Sequence, residues 1–75
     1  MEAEVMKYLA AALCMGLGSV APALAEGYIG AKTMEAIGRN PKVSDSIFPK
    51  MIVALAICES ISIYALVISL IILFG

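Results

Sequence analysis

Two carboxylates stand where ionisable groups are costly. Glu59 is the one charged residue between Met51 and Gly75, a run of 25 residues. A helix of that length crosses a bilayer. A charge at the centre of such a helix costs about 2.5–3.5 kcal/mol on insertion scales. A basic partner would offset that cost, but no Lys or Arg falls in the run. Glu59 is therefore a candidate functional group. Glu26 is the second, one turn after Pro22 at the end of the first apolar stretch. Two carboxylates that meet in low dielectric do not both ionise easily. Such a pair can carry protons, or share one proton and bind a hard cation, which takes oxygen ligands. Ser60 adds a hydroxyl next in the chain, and Tyr64 a phenol five residues on. Taken alone, each has an ordinary reading: Ser60 bonded to its own helix, Tyr64 at an interface.

Two helices must position these groups. The boundaries read as helix 1 over about 3–37, a polar loop over about 38–45 and helix 2 over about 46–74. Gly38 and Asn40-Pro41 mark the turn. Ser44, Asp45 and Ser46 are candidate caps for helix 2, with Pro49 in its first turn or so. In an antiparallel hairpin, residues equally far from the loop centre lie at equal depth. The centre falls near residue 42, so Glu26 and Glu59 come nearly level. Glu59 lies nine residues past Lys50, about 13 Å along a helix, near the middle of a core about 30 Å thick. Cys14 and Cys58 fail the same depth test and read as packing residues, not a disulfide.

Small residues recur along helix 1 at Ala12, Gly16, Ser19, Ala23, Gly27 and Ala31, with a second row at Ala11, Gly18, Ala21 and Ala25. Such rows let backbones approach closely in a membrane. Their breadth suits a helix packed on two sides, as in the inner wall of a ring. Pro22 removes the hydrogen bond to the Gly18 carbonyl and predicts a kink.

The totals agree. Of 75 residues, 63% are hydrophobic, and the mean hydropathy is +1.03. A water-soluble domain of this size buries only about 60% of its chain surface, so lipid must solvate much of the chain. The net charge of −1 gives no nucleic-acid footprint. There is no His, and the cysteines lack metal-ligand spacing. Four of the five basic residues, Lys32, Arg39, Lys42 and Lys50, flank the loop. The positive-inside rule then sets the loop in the cytoplasm and both termini opposite. Ala23-Leu24-Ala25 before Glu26 has the look of a signal-peptidase site. The acidic Glu2 and Glu4 argue against a cleaved signal.

These features together resemble the c subunit of rotary F-type ATP synthases, the rotor proteolipid. The likeness covers nearly all of the chain. It rests on the hairpin, the small-residue helix 1, the loop Arg39-Asn40-Pro41 and the single helix 2 carboxylate Glu59. It implies an all-α membrane protein assembled as a cylindrical homo-oligomeric ring, with Gly16, Ala23, Gly27 and Ala31 in its packing. Glu59 would carry the ion, and Arg39, Asn40 and Pro41 would contact the central stalk of the soluble head. A stationary partner similar to the a subunit would supply half-channels and an Arg. Finer features resemble the sodium-type members: Glu26 in helix 1, Ser60 after the carrier, Tyr64 five residues on, and the Ile57 carbonyl at the position of a backbone ligand. Two features depart from the pattern: helix 1 has Ala at most of the family's alternating glycines, and Ile61 stands where sodium-type members often have Thr.

The expectation is a rotor-ring subunit that catalyses nothing itself and has no covalent cofactor. It would carry Na⁺, or H⁺, on Glu59, with Glu26, Glu59 and Ser60 as the metal ligands. Its partners are identical subunits, the stator, the central stalk and membrane lipid, and the setting is a bacterial inner membrane. The rivals are an H⁺-only c subunit, or a non-rotary small pore or regulatory hairpin. A vacuolar-type proteolipid would commonly be longer, with duplicated hairpins.

Overall fold

A computed structural model describes residues 2–75. The chain is a helical hairpin 59 Å long, 16 Å wide and 8 Å thick. Helix α1 spans Glu2–Gly18 and α2 spans Val20–Arg39. They form one rod of 38 residues. The hydrogen bonds Ser19 N to Met15 O and Ala23 N to Ser19 O, both 3.1 Å, continue across the junction. The break at Ser19 has a local cause. Pro22 has no N–H to give the Gly18 carbonyl, so one rung is missing while its neighbours hold.

A 3₁₀ turn at Pro41–Val43 reverses the chain, and α3 runs Ser44–Phe74. The cap is not where the serines predict it. Val43 stands at the start of α3 with no side-chain cap, and Ser46 Oγ donates back to Val43 O at 3.0 Å. Asn40 caps instead, its Oδ1 accepting from Lys42 N at 3.3 Å. Pro41 pre-sets the first turn, so the helical path begins before the serines are reached. Pro49 accordingly sits inside α3. Gly38 is helical and has no positive φ, so the turn does not use its conformational freedom.

The interhelical seam is narrow. Ala11, Pro22, Met51 and Ala65 are its buried apolar residues; Thr33 and Ser69 are its buried polar ones. Thr33 Oγ1 donates to Ile29 O of its own helix at 2.7 Å. Ser69 Oγ crosses the seam to Ala11 O at 3.2 Å, and Cys14 Sγ points at Ala65 O at 3.6 Å. Both cysteines are free thiols. Gly18 faces Ala65 so closely that a Cβ on it would lie 2.9 Å from the Ala65 Cβ. These contacts pair the helices within a few residues of the register that the loop centre implies. Only 11% of each apolar span is buried inside the hairpin. The remaining apolar surface faces outward, as it must where lipid or further copies cover it.

Candidate functional site

The site is built from one face of each helix below the Pro22 break. Glu26 is half-buried on α2 and Glu59 is exposed on α3. Both line an open cleft of about 590 Å³, with Ala23 and Gly27 on one wall and Ile52, Leu55 and Ala56 on the other. The two carboxyl groups face the same cleft, where one shared proton would spare the pair from both ionising. A methyl at Ala23 and a bare Cα at Gly27 leave the wall beside Glu26 low. Ala12, Gly16 and Ala31 are likewise exposed on the helix.

The other candidate oxygens lie apart from this cleft. Ser60 Oγ donates to the Ile57 carbonyl at 2.6 Å, which sets two oxygens side by side on α3. Neither residue lines the cleft. At 3.6 residues per turn, Ser60 stands about 100° and Tyr64 about 140° round the helix from Glu59. Tyr64 is 69% exposed, and among the described residues no hydrogen bond joins it to Glu59. Within one chain, then, the two carboxylates share one cleft. Ile57, Ser60 and Tyr64 form a second group on a different face of α3.

At the other end of α2, Arg39 is exposed beside the turn, with Nη1 3.8 Å from Glu35 Oε1. Lys32 Nζ lies 3.5 Å from Glu35 Oε2 and 5.6 Å from the Tyr28 ring centroid. This run of contacts, and the seam bonds of Ser69 and Cys14, escaped the reading from sequence. Their signals were present: Lys32, Glu35 and Arg39 at helical spacing, and one hydroxyl residue, Ser69, in an otherwise apolar helix end.

Comparison with known proteins decides the family. The family model for the ATP synthase c subunit matches residues 9–72. The chain belongs to the ATP synthase c-subunit family. It is similar to the ATP synthase c subunit of Dehalococcoides mccartyi, 51% identical over 74 residues, covering 99% of this chain and 97% of the relative. The corresponding subunit of Thermotoga maritima is 45% identical over 67 residues, covering 89% and 79%. That of Petrotoga mobilis is 43% identical over 68 residues, covering 91% and 71%. Members of this family are membrane rotor subunits that form rings and translocate ions, while catalysis lies in other subunits of the synthase. The hairpin with its two spans is the membrane-integral form expected of a member.

Proposed function

We propose that this rotor protein carries Na⁺ on Glu59, in a site completed by a neighbouring copy. The observation that carries the reading is the division of the oxygens. Glu26 and Glu59 share one cleft, whereas the Ile57 carbonyl and the Ser60 hydroxyl sit together on a different face of α3. A hairpin repeated around a ring meets its neighbours through unlike faces, a heterologous contact that closes by rotation. The cleft of one copy then receives the Ile57, Ser60 and Tyr64 face of the next. Two carboxyl groups, a carbonyl and a hydroxyl surround one position, and the Tyr64 phenol donates to a carboxylate.

Such a set is richer than a proton needs. A proton asks for one carboxylate with a hydrogen-bond partner, whereas a hard cation wants several oxygens. With both glutamates ionised, bound Na⁺ would leave a buried charge of −1, which is costly. One proton shared by the pair, resident on Glu26, removes it. Glu59 is then the group that alternates between ion-bound and free as it passes a stator of the a-subunit kind. Gly16, Ala23, Gly27 and Ala31 let the copies approach closely. The loop faces the cytoplasm of a bacterial inner membrane, where Arg39, Asn40 and Pro41 meet the central stalk.

The test is competition at Glu59. Carboxyl-selective carbodiimides react with a protonated acid, so labelling is followed against pH with and without NaCl. Protection of Glu59 by millimolar Na⁺ but not K⁺ is the expected result. Labelling that follows pH alone means that the pair carries protons and that Ser60 only packs.

A further inference from the structure

We propose that Glu35 is a positioning residue: it orders the Arg39 side chain at the loop for contact with the soluble part of the synthase. The proposal rests on the stalk-contact reading of Arg39 given above. The geometry lies in one stripe along α2. Tyr28, Lys32, Glu35 and Arg39 follow one another at steps of four, three and four residues, so each stands about one turn from the next. Lys32 Nζ sits over the Tyr28 ring, 5.6 Å from its centroid. The Glu35 carboxylate is divided between two cations, Oε2 toward Lys32 at 3.5 Å and Oε1 toward Arg39 Nη1 at 3.8 Å.

For the helix alone, Glu35 adds only about 0.2–0.5 kcal/mol per ion pair. It lies near the C-terminal end of α2, where a negative charge opposes the helix dipole. Among the described residues its side chain makes no bond to α3. What it does is tether. An Arg side chain has many rotamers, and ordering them on binding weakens association. Glu35 engages one nitrogen of the guanidinium, while the side chain stays 76% exposed. The remaining N–H groups of the planar fork stay free for a partner's carboxylates or carbonyls. Lys32, held by the Tyr28 ring, steadies the carboxylate from the membrane side. Exposed ion pairs are individually weak, so the expected effect is a modest gain in affinity, sensitive to salt.

The experiment measures binding of the soluble head, with its central stalk, to purified rings of the full chain. Glu35→Gln is made with Arg39 intact and again with Arg39→Ala. Binding should weaken about two- to fivefold in the first background and not in the second, with the difference fading at high salt. Solid-state NMR of the Arg39 Nε should show greater side-chain motion in Glu35→Gln rings, a readout that a merely structural Glu35 would not move. Equal weakening in both backgrounds, or an unchanged Arg39 signal, overturns the positioning role and leaves the stalk-contact reading standing. If Arg39→Ala by itself leaves head binding unchanged, the stalk-contact reading fails, and the positioning role fails with it.

Discussion

The half of the hairpin near the chain termini and the half near the loop are held together differently. Near the termini the helices touch through backbone and small side chains. Ser69 donates across to Ala11 O, Cys14 points at Ala65 O, and Gly18 presses on Ala65. Below Pro22 the seam widens into the cleft that contains Glu26 and Glu59. Among the described residues, no side-chain-to-backbone hydrogen bond crosses it there. A close seam can be made permanent with a small residue and a hydroxyl. On the reading proposed above, the cleft loads and releases a charge, which needs space and oxygens that a neighbouring copy would supply. Substitutions in the two halves should therefore fail in different ways: at the cleft, transport is lost while the hairpin stands; at the seam, stability falls while the chemistry of the site is kept.

The largest effect is expected at Glu59→Gln. The amide keeps the size and some hydrogen bonding but cannot alternate between charged and neutral forms. Ion transport and carbodiimide labelling at this position should disappear, while rings remain intact on gels run without harsh denaturation. Rings that fail to assemble would mean that Glu59 belongs to the packing as well, and the contrast between the halves would collapse.

Next is Gly18→Ala, at the close seam. The added Cβ would lie 2.9 Å from that of Ala65, so the helices must separate. Overpacking of this kind costs about 1–3 kcal/mol. Thermal dissociation of the ring should move down, and Ala65→Gly in the same chain should restore it. Absence of rescue would show that the penalty arises elsewhere than at this contact.

How much of this was legible beforehand differs between the halves as well. The level pairing of Glu26 and Glu59 follows from loop position alone, because an antiparallel hairpin fixes depth by counting. Pro22 announced its missing rung for the same local reason. The orientation of Tyr64 and Ser60 did not follow so easily. Their nearness to Glu59 in number suggested a cluster, yet 100° per residue turns both away from the cleft. Asn40 displaced the serines as the cap because Pro41 starts a turn three residues before them. The seam bonds of Ser69 and Cys14 depend on helix rotation, which a run as uniformly apolar as α3 does not encode.

Ser60→Ala sharpens the contrast at the cleft. The hydroxyl already donates to the Ile57 carbonyl at 2.6 Å, so its removal disturbs the helix little. If the oxygen is a cation ligand of the neighbouring site, the Na⁺ concentration that protects Glu59 from carbodiimide should rise about tenfold, roughly 1.4 kcal/mol. Proton-dependent labelling should stay as it was. An unchanged Na⁺ requirement would assign the hydroxyl to its own helix.

The smallest effect is expected at Ser69→Ala, in the seam. Ser69 is 5% exposed, and its hydroxyl gives the one O–H bond that crosses between the helices among the described residues. The acceptor, Ala11 O, lies within α1 and keeps its helical partner, so losing the hydroxyl leaves no orphaned group behind. Alanine fits the same space without a polar atom. Hydrogen bonds between membrane helices average about 0.6 kcal/mol in double-mutant cycles. Ser69→Ala should therefore lower the ring's thermal stability by only that much, with Na⁺ protection of Glu59 unchanged. A loss near 2 kcal/mol, about three times that average, would mean that this bond sets helix rotation for the whole hairpin. The shift would then also appear at the cleft, as weaker Na⁺ protection, and the two halves would no longer be independent.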